Sequence, residues 1–196
     1  MAEKYINIST PHISVNDESF SKTVLMPGDP MRAEKIAKEF LSEVKIISDI
    51  RGIKAYKGKY SNSDVTIMAS GMGMPSIGLY SHELFNFFGV ENIIRVGSIG
   101  AVRRDLNLGD IVIAQAASTN SNYLRQYGLD SYNYSPISDY KILNLLNVET
   151  SQMIEQDKKV LVGNILSSDT FYFSSARTPR RNLLIWAGMN CFLPKI

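Results

Sequence analysis

The sequence has a single cysteine, Cys191, and only two histidines, His12 and His82. One thiol excludes an internal disulfide framework and any multi-cysteine metal site, and two imidazoles leave little material for a histidine-rich metal centre. No run approaches the roughly 20 apolar residues that a membrane-spanning helix requires. The N-terminal stretch, with Glu3, Lys4, Asn7, Asp17 and Glu18, holds no signal-peptide core. The expectation is a cytoplasmic protein with no metal and no membrane partner. Tryptophan is nearly missing as well: Trp186 stands alone, in residues 174–196, together with Cys191, Arg177, Arg180, Arg181 and Lys195 and no acid. The net charge of +2 hides this asymmetry, because the first 173 residues carry 17 basic against 19 acidic side chains. Four charges in a short tail do not make a basic face, so no nucleic-acid partner is expected.

What remains, 196 residues of which 44% are hydrophobic, can bury one substantial core, and one domain is the starting expectation. Residues 23–26 form a short apolar run that enters Pro27-Gly28-Asp29-Pro30, and Pro30 suits a first helical turn because its missing N–H would be unpaired there anyway. A helix is predicted to about Phe40, with Ile36, Ala37 and Phe40 on its buried face. Strands are predicted over 44–50, 55–60 and 65–69. A helix follows from about 76 to 88, with Leu84, Phe87 and Phe88 on its apolar side. Further strands are predicted over 92–96, 111–116 and 160–166. A tyrosine-rich loop spans about 118–138, and a helix covers 139–156 through Ile142, Leu145, Leu146 and Met153. Strands alternating with helices imply an α/β fold, a single domain with a central mixed, largely parallel sheet flanked by helices.

In such sheets ligands bind beyond the carboxyl ends of the strands. Three stretches have the right shape: Met26-Pro27-Gly28-Asp29-Pro30-Met31-Arg32, Ser70-Gly71-Met72-Gly73-Met74 and Arg95-Val96-Gly97-Ser98-Ile99-Gly100. Two of them carry an arginine, whose fork matches the oxygens of an oxyanion. A Gly-x-Gly pair alone is an ordinary turn and far short of a dinucleotide fingerprint. Arg95 is sharper, since a guanidinium at the end of a buried strand needs an anionic partner, although an internal Asp or Glu would serve as well as a ligand. By their own surroundings His82 is a packing or surface residue and His12 a surface residue.

The segments "TPHI" (10–13), "VLMPGDPMRAEKIA" (24–37), "RG" (51–52), "GMGMPSIGLYSHEL" (71–84), "IIRVGSIGAV" (93–102) and "SSDTFY" (167–172) occur in the order found in the hexameric, bacterial-type purine nucleoside phosphorylases, which the chain resembles. Related uridine phosphorylases and nucleosidases share that fold, but "TPHI" and "MPGDPMR" favour the purine branch. The resemblance implies phosphorolysis of purine ribo- or deoxyribonucleosides to free base and pentose 1-phosphate, with inorganic phosphate as co-substrate and no cofactor. It implies a phosphate site of Gly28, Arg32, Arg95 and Ser98, with Arg51 donated across a subunit interface. It places His12, from the same neighbour, at the sugar 5′-hydroxyl, Met72 near the sugar, and Phe171 against the base. A homo-oligomer follows, a dimer at minimum and a hexamer by the family pattern.

The resemblance stops after Tyr172. The family's "VEMEA"-like segment, whose glutamate binds the ribose hydroxyls, and its "SD" segment, whose aspartate protonates the purine, have no counterpart in "FSSARTPRRNLLIWAGMNCFLPKI". The expected organisation is a phosphorylase domain over 1–173, incomplete at its C-terminus, and an atypical tail over 174–196 arising from a shifted reading frame near Phe173 or, alternatively, a genuine variant tail. Its catalytic acid is therefore unassigned and turnover is expected to be weak. The alternatives are a non-catalytic phosphate-binding remnant and a related nucleosidase or uridine phosphorylase.

Overall fold

The structure, a computed structural model, describes residues 9–14, 19–101, 103–129 and 133–170. They fall into two compact units, one ending at Gly97 and the other beginning at Ser98.

The first unit is built on β1 (Thr23–Pro27), α1 (Pro30–Phe40), β2 (Ser42–Ile50), β3 (Ile53–Tyr60), β4 (Ser63–Met68), α2 (Met74–Phe87) and β5 (Asn92–Val96). Its five strands form one sheet in the order β2-β3-β4-β1-β5. The sheet is mixed, as expected. β1 pairs in parallel with β4 and β5, whereas β3 pairs antiparallel with β2 and β4. The strands with the most continuous apolar runs, β1 and the end of β4, lie inside the sheet. Their Val24, Met26, Ile67 and Met68 are completely buried, as parallel strands covered on both faces require.

Local chemistry sets the helix boundaries. Asp29 caps α1 by accepting a hydrogen bond from the Met31 N–H at 2.9 Å, and Pro30 occupies the first turn. The buried face of α1 is Ala33 and Ala37, four residues apart, and their small side chains let the helix lie close to β3 and β4. Phe40, predicted to be buried, is the last helical residue and is exposed. Helix α2 starts two residues earlier than the sequence suggests, because Gly73, at φ +92°, makes the entry turn. Met74, Ile77, Tyr80, Ser81 and Leu84 form its buried stripe. Phe88 closes the core against Phe20, with ring centroids 5.1 Å apart, while Phe87 is exposed.

The second unit contains β6 (Ile111–Thr119), α3 (Tyr140–Met153) and β7 (Val160–Ser167). β6 and β7 form a parallel pair of their own, and α3 packs against both. Asp139 caps α3 by accepting from the Ile142 N–H at 3.0 Å. The apolar face expected of α3 exists in sequence, yet none of its residues is buried, and Leu145 and Met153 are exposed. The stretch predicted as a loop over 118–138 contains a 3₁₀ turn at Tyr123–Tyr127 and a bridge from Ile137 to Ala116. Hydroxyl caps start that turn: Thr119 accepts from Ser121 N–H, and Ser121 from Tyr123 N–H, both at 3.0 Å. Among the described residues, no helix is long and apolar enough to cross a membrane. The tail over 174–196 lies outside the described residues.

Candidate functional site

The sheet brings together the three glycine-bearing stretches singled out in the sequence. β4, β1 and β5 run side by side in the same direction, so Ser70-Gly71, Gly28-Asp29 and Val96-Gly97 all leave from one edge, at the carboxyl ends of the strands. The register places Arg95 opposite Met26 and Val96 opposite Pro27. Ser70 N–H donates to the Pro27 carbonyl at 2.7 Å, which ties the exit of β4 to that of β1.

Arg95 lies on β5, the outer strand of this edge, and its guanidinium reaches back towards Gly28 at the exit of β1. A β-carbon on Gly28 would lie 3.2 Å from Nη2 of Arg95, and one on Gly97 would lie 2.9 Å from Nη1. The guanidinium is thus held close to two glycine α-carbons, and side chains at either position would displace it. Its Nε and Nη1 atoms are sealed from solvent and have no hydrogen-bond partner, and no ion pair to Arg95 exists among the described residues. Among the described residues, no Asp or Glu satisfies Arg95. Burial pushes the Arg95 guanidinium below its ordinary range, and the nearby positive charge of Arg32 pushes in the same direction. Like charge and burial thus act together on Arg95, a combination that costs free energy without an anionic partner. Arg32 itself is exposed, in the first turn of α1.

The third stretch is rigid where it meets this group and open above it. Gly71, at φ +68°, has its carbonyl 3.5 Å from where a Gly28 β-carbon would stand, and a β-carbon on Gly71 would strike Ser76 Oγ at 2.5 Å. Ser76 Oγ donates to the Ser70 carbonyl at 2.7 Å, and Ser70 Oγ donates to the Gly71 carbonyl at 3.0 Å. Met72, between the two glycines, is 91% exposed. Its flexible thioether is free to close over an occupant. Ser76 was not singled out in the sequence, nor was the contact between Gly97 and Arg95. Only the density of small residues around Gly71 and Gly73 signals them.

Arg51 is not brought to Arg95. It lies in the β2–β3 turn, exposed, at φ +57°, next to Gly52 at φ +75°. Ala55 pairs with Met68, so that turn stands at the same edge of the sheet. However, β3 is three strand positions from β5, roughly 14 Å at the usual strand spacing. Burial pushes the Tyr80 phenol up, and Arg51 acts against that shift.

His12 is held against α2, by a partner the sequence did not announce. Its Nδ1 lies 2.7 Å from Oε1 of Glu83 on α2. Ser98 is exposed and begins the second unit. Phe171 lies outside the described residues.

The model of the phosphorylase superfamily matches residues 22–191, across both units. The chain belongs to that superfamily. Its curated relatives include purine phosphorylases: it is 47% identical over 163 residues to the DeoD-type purine nucleoside phosphorylase of Colwellia psychrerythraea, covering 83% of this chain and 68% of that protein. It is 44% identical over 165 residues to the DeoD-type enzyme of Chromobacterium violaceum, covering 84% and 68%. Among solved structures, uridine phosphorylase from Vibrio fischeri superposes with a TM-score of 0.74 at 27% identity, covering 83% of this chain and 65% of that one. Purine nucleoside phosphorylase from Toxoplasma gondii in complex with immucillin-H also gives 0.74, at 20% identity, covering 92% and 69%, and bears on the fold alone. This phosphorylase-family chain thus spans about two thirds of the length of the relatives it matches. The purine branch named by "TPHI" and "MPGDPMR" is also the branch of these curated relatives.

Proposed function

We propose that the chain binds inorganic phosphate at Gly28, Arg32 and Arg95, with Ser98 and the Arg51 of a second copy completing the shell. A purine nucleoside would lie alongside, against Met72, Phe171 and the His12 of that second copy. The observation that carries this reading is the Arg95 guanidinium, with Nε and Nη1 buried and unpartnered and with a second arginine's charge nearby. A bidentate oxyanion supplies what these groups lack. An oxygen of the bound phosphate attacks the anomeric carbon as the bond from that carbon to the purine nitrogen breaks. The base departs with the bonding electrons and takes up a proton, leaving pentose 1-phosphate. Fixing phosphate against the sugar supplies orientation and charge stabilisation. No cofactor is needed beyond the co-substrate. A cytoplasmic homo-oligomer, at least a dimer, is part of the proposal, because Arg51 and the cradle lie apart within one chain.

Adenosine and inosine incubated with the purified chain, with and without phosphate, test this by release of free base. Base release is expected only with phosphate. Equal release without phosphate would make the chain a nucleosidase. Phosphate binding with no release would make it a non-catalytic phosphate-binding member.

A further inference from the structure

Residues 10–13 form a tight turn clipped onto α2. Thr10 N–H donates to the Ile13 carbonyl at 2.8 Å. Thr10 Oγ1 accepts from the N–H groups of His12 and Ile13 at 3.2 and 2.9 Å. Ile13 is fully buried and anchors the turn in the core. The same Thr10 hydroxyl donates to Oε2 of Glu83 at 2.6 Å, while His12 Nδ1 meets Oε1 at 2.7 Å. Glu83 is only 8% exposed. A carboxylate that deeply placed is costly unless its oxygens are hydrogen-bonded, and here each oxygen has a partner.

A carboxylate only accepts, so the short contact requires His12 Nδ1 to carry the proton. In the neutral ring the lone pair is then on Nε2, which has no hydrogen-bond partner among the described residues. The His12 side chain retains partial exposure. We infer that Glu83 is a positioning residue that, with Thr10, fixes His12 as the Nδ1–H tautomer and presents Nε2 outward as an acceptor for a donor group on a ligand of a neighbouring copy. Under the function proposed above, on which this second step rests, that donor is the 5′-hydroxyl of the nucleoside.

The two histidines make the tautomer directly readable in the full-length chain labelled with ¹⁵N-histidine. Long-range ¹H–¹⁵N correlation spectra above the imidazole titration range distinguish protonated from unprotonated ring nitrogens. His82 is exposed on α2 and serves as an internal reference, assigned by His82→Gln. Expected are a protonated Nδ1 and bare Nε2 for His12, retained in Glu83→Gln, whose amide oxygen still accepts, and lost towards the His82 pattern in Glu83→Ala. A wild-type His12 protonated on Nε2, or one unchanged in Glu83→Ala, would overturn the inference. The wild-type spectrum is decisive even where a variant folds poorly. Binding of adenosine against 5′-deoxyadenosine tests the second step. Glu83→Ala should weaken the former about 10-fold, the value of one hydrogen bond at 1–1.5 kcal/mol, and leave the latter unchanged. Equal losses would overturn transmission through His12. Wild-type protein that binds neither nucleoside would overturn the nucleoside reading, leaving the tautomer to decide the role of Glu83.

Discussion

Replacing Arg95 by methionine is expected to weaken phosphate binding by about 2–5 kcal/mol, roughly 30-fold or more, the usual consequence of truncating one partner of a buried charge pair. Without phosphate the same change is expected to leave stability unchanged or to raise it by about 1–3 kcal/mol. Nε and Nη1 of Arg95 are sealed without partners in the free chain, and an unsatisfied buried donor costs about that much. Methionine keeps the apolar stem and removes the cost. Urea denaturation with and without phosphate reads both effects at once. Wild-type protein gains about 2.7 kcal/mol at phosphate one hundred times its dissociation constant, whereas Arg95→Met gains almost none at that concentration. If Arg95→Met were strongly destabilised without phosphate, the guanidinium would be a structural element of the fold and not a group held ready for an anion.

The second large effect lies under α2. Leu84 is completely buried in the main core and sits next to Glu83 on the helix that also receives the Gly71-Met72-Gly73 turn. Leu84→Ala is expected to destabilise by about 2–5 kcal/mol, the range for removing a buried leucine side chain and leaving a cavity. Against a typical total of about 5–15 kcal/mol, the first unit would be close to unfolding. The urea midpoint should fall while the slope stays constant. A loss below about 1 kcal/mol would mean that α2 is not packed as described, and would also remove the rigid base on which the Glu83–His12 contact depends.

The core of the first unit was legible because its signals are local. The apolar runs of β1 and β5 end in glycine, and Asp29-Pro30 marks a helix start that the structure repeats. Signals failed where the deciding partner is distant in sequence. The spacing of Ile142, Leu145, Leu146 and Met153 announces an amphipathic helix but not whether anything covers it, and on α3 no residue is buried. Phe40 and Phe87 sit on the expected faces but at helix ends, where they remain exposed. The same distinction holds at the site. Gly28, Arg32 and Arg95 could be named from turn chemistry. The choice between an internal acid and a ligand for Arg95 could not, because it depends on which carboxylates fold nearby. His12 read as a surface residue by itself, since Glu83 is 71 positions away. Gly97 stood in a candidate ligand stretch, but its close approach to the Arg95 guanidinium is set by the fold of that turn and not by the spacing.

The central claim is that Arg95, Arg32 and Gly28 form an oxyanion cradle. Calorimetric titration of the purified chain with inorganic phosphate tests it most directly, with chloride at equal ionic strength as the control. The account predicts saturable binding of one phosphate per chain that persists against chloride. Heats no different from dilution, or binding that equal ionic strength abolishes, would contradict it.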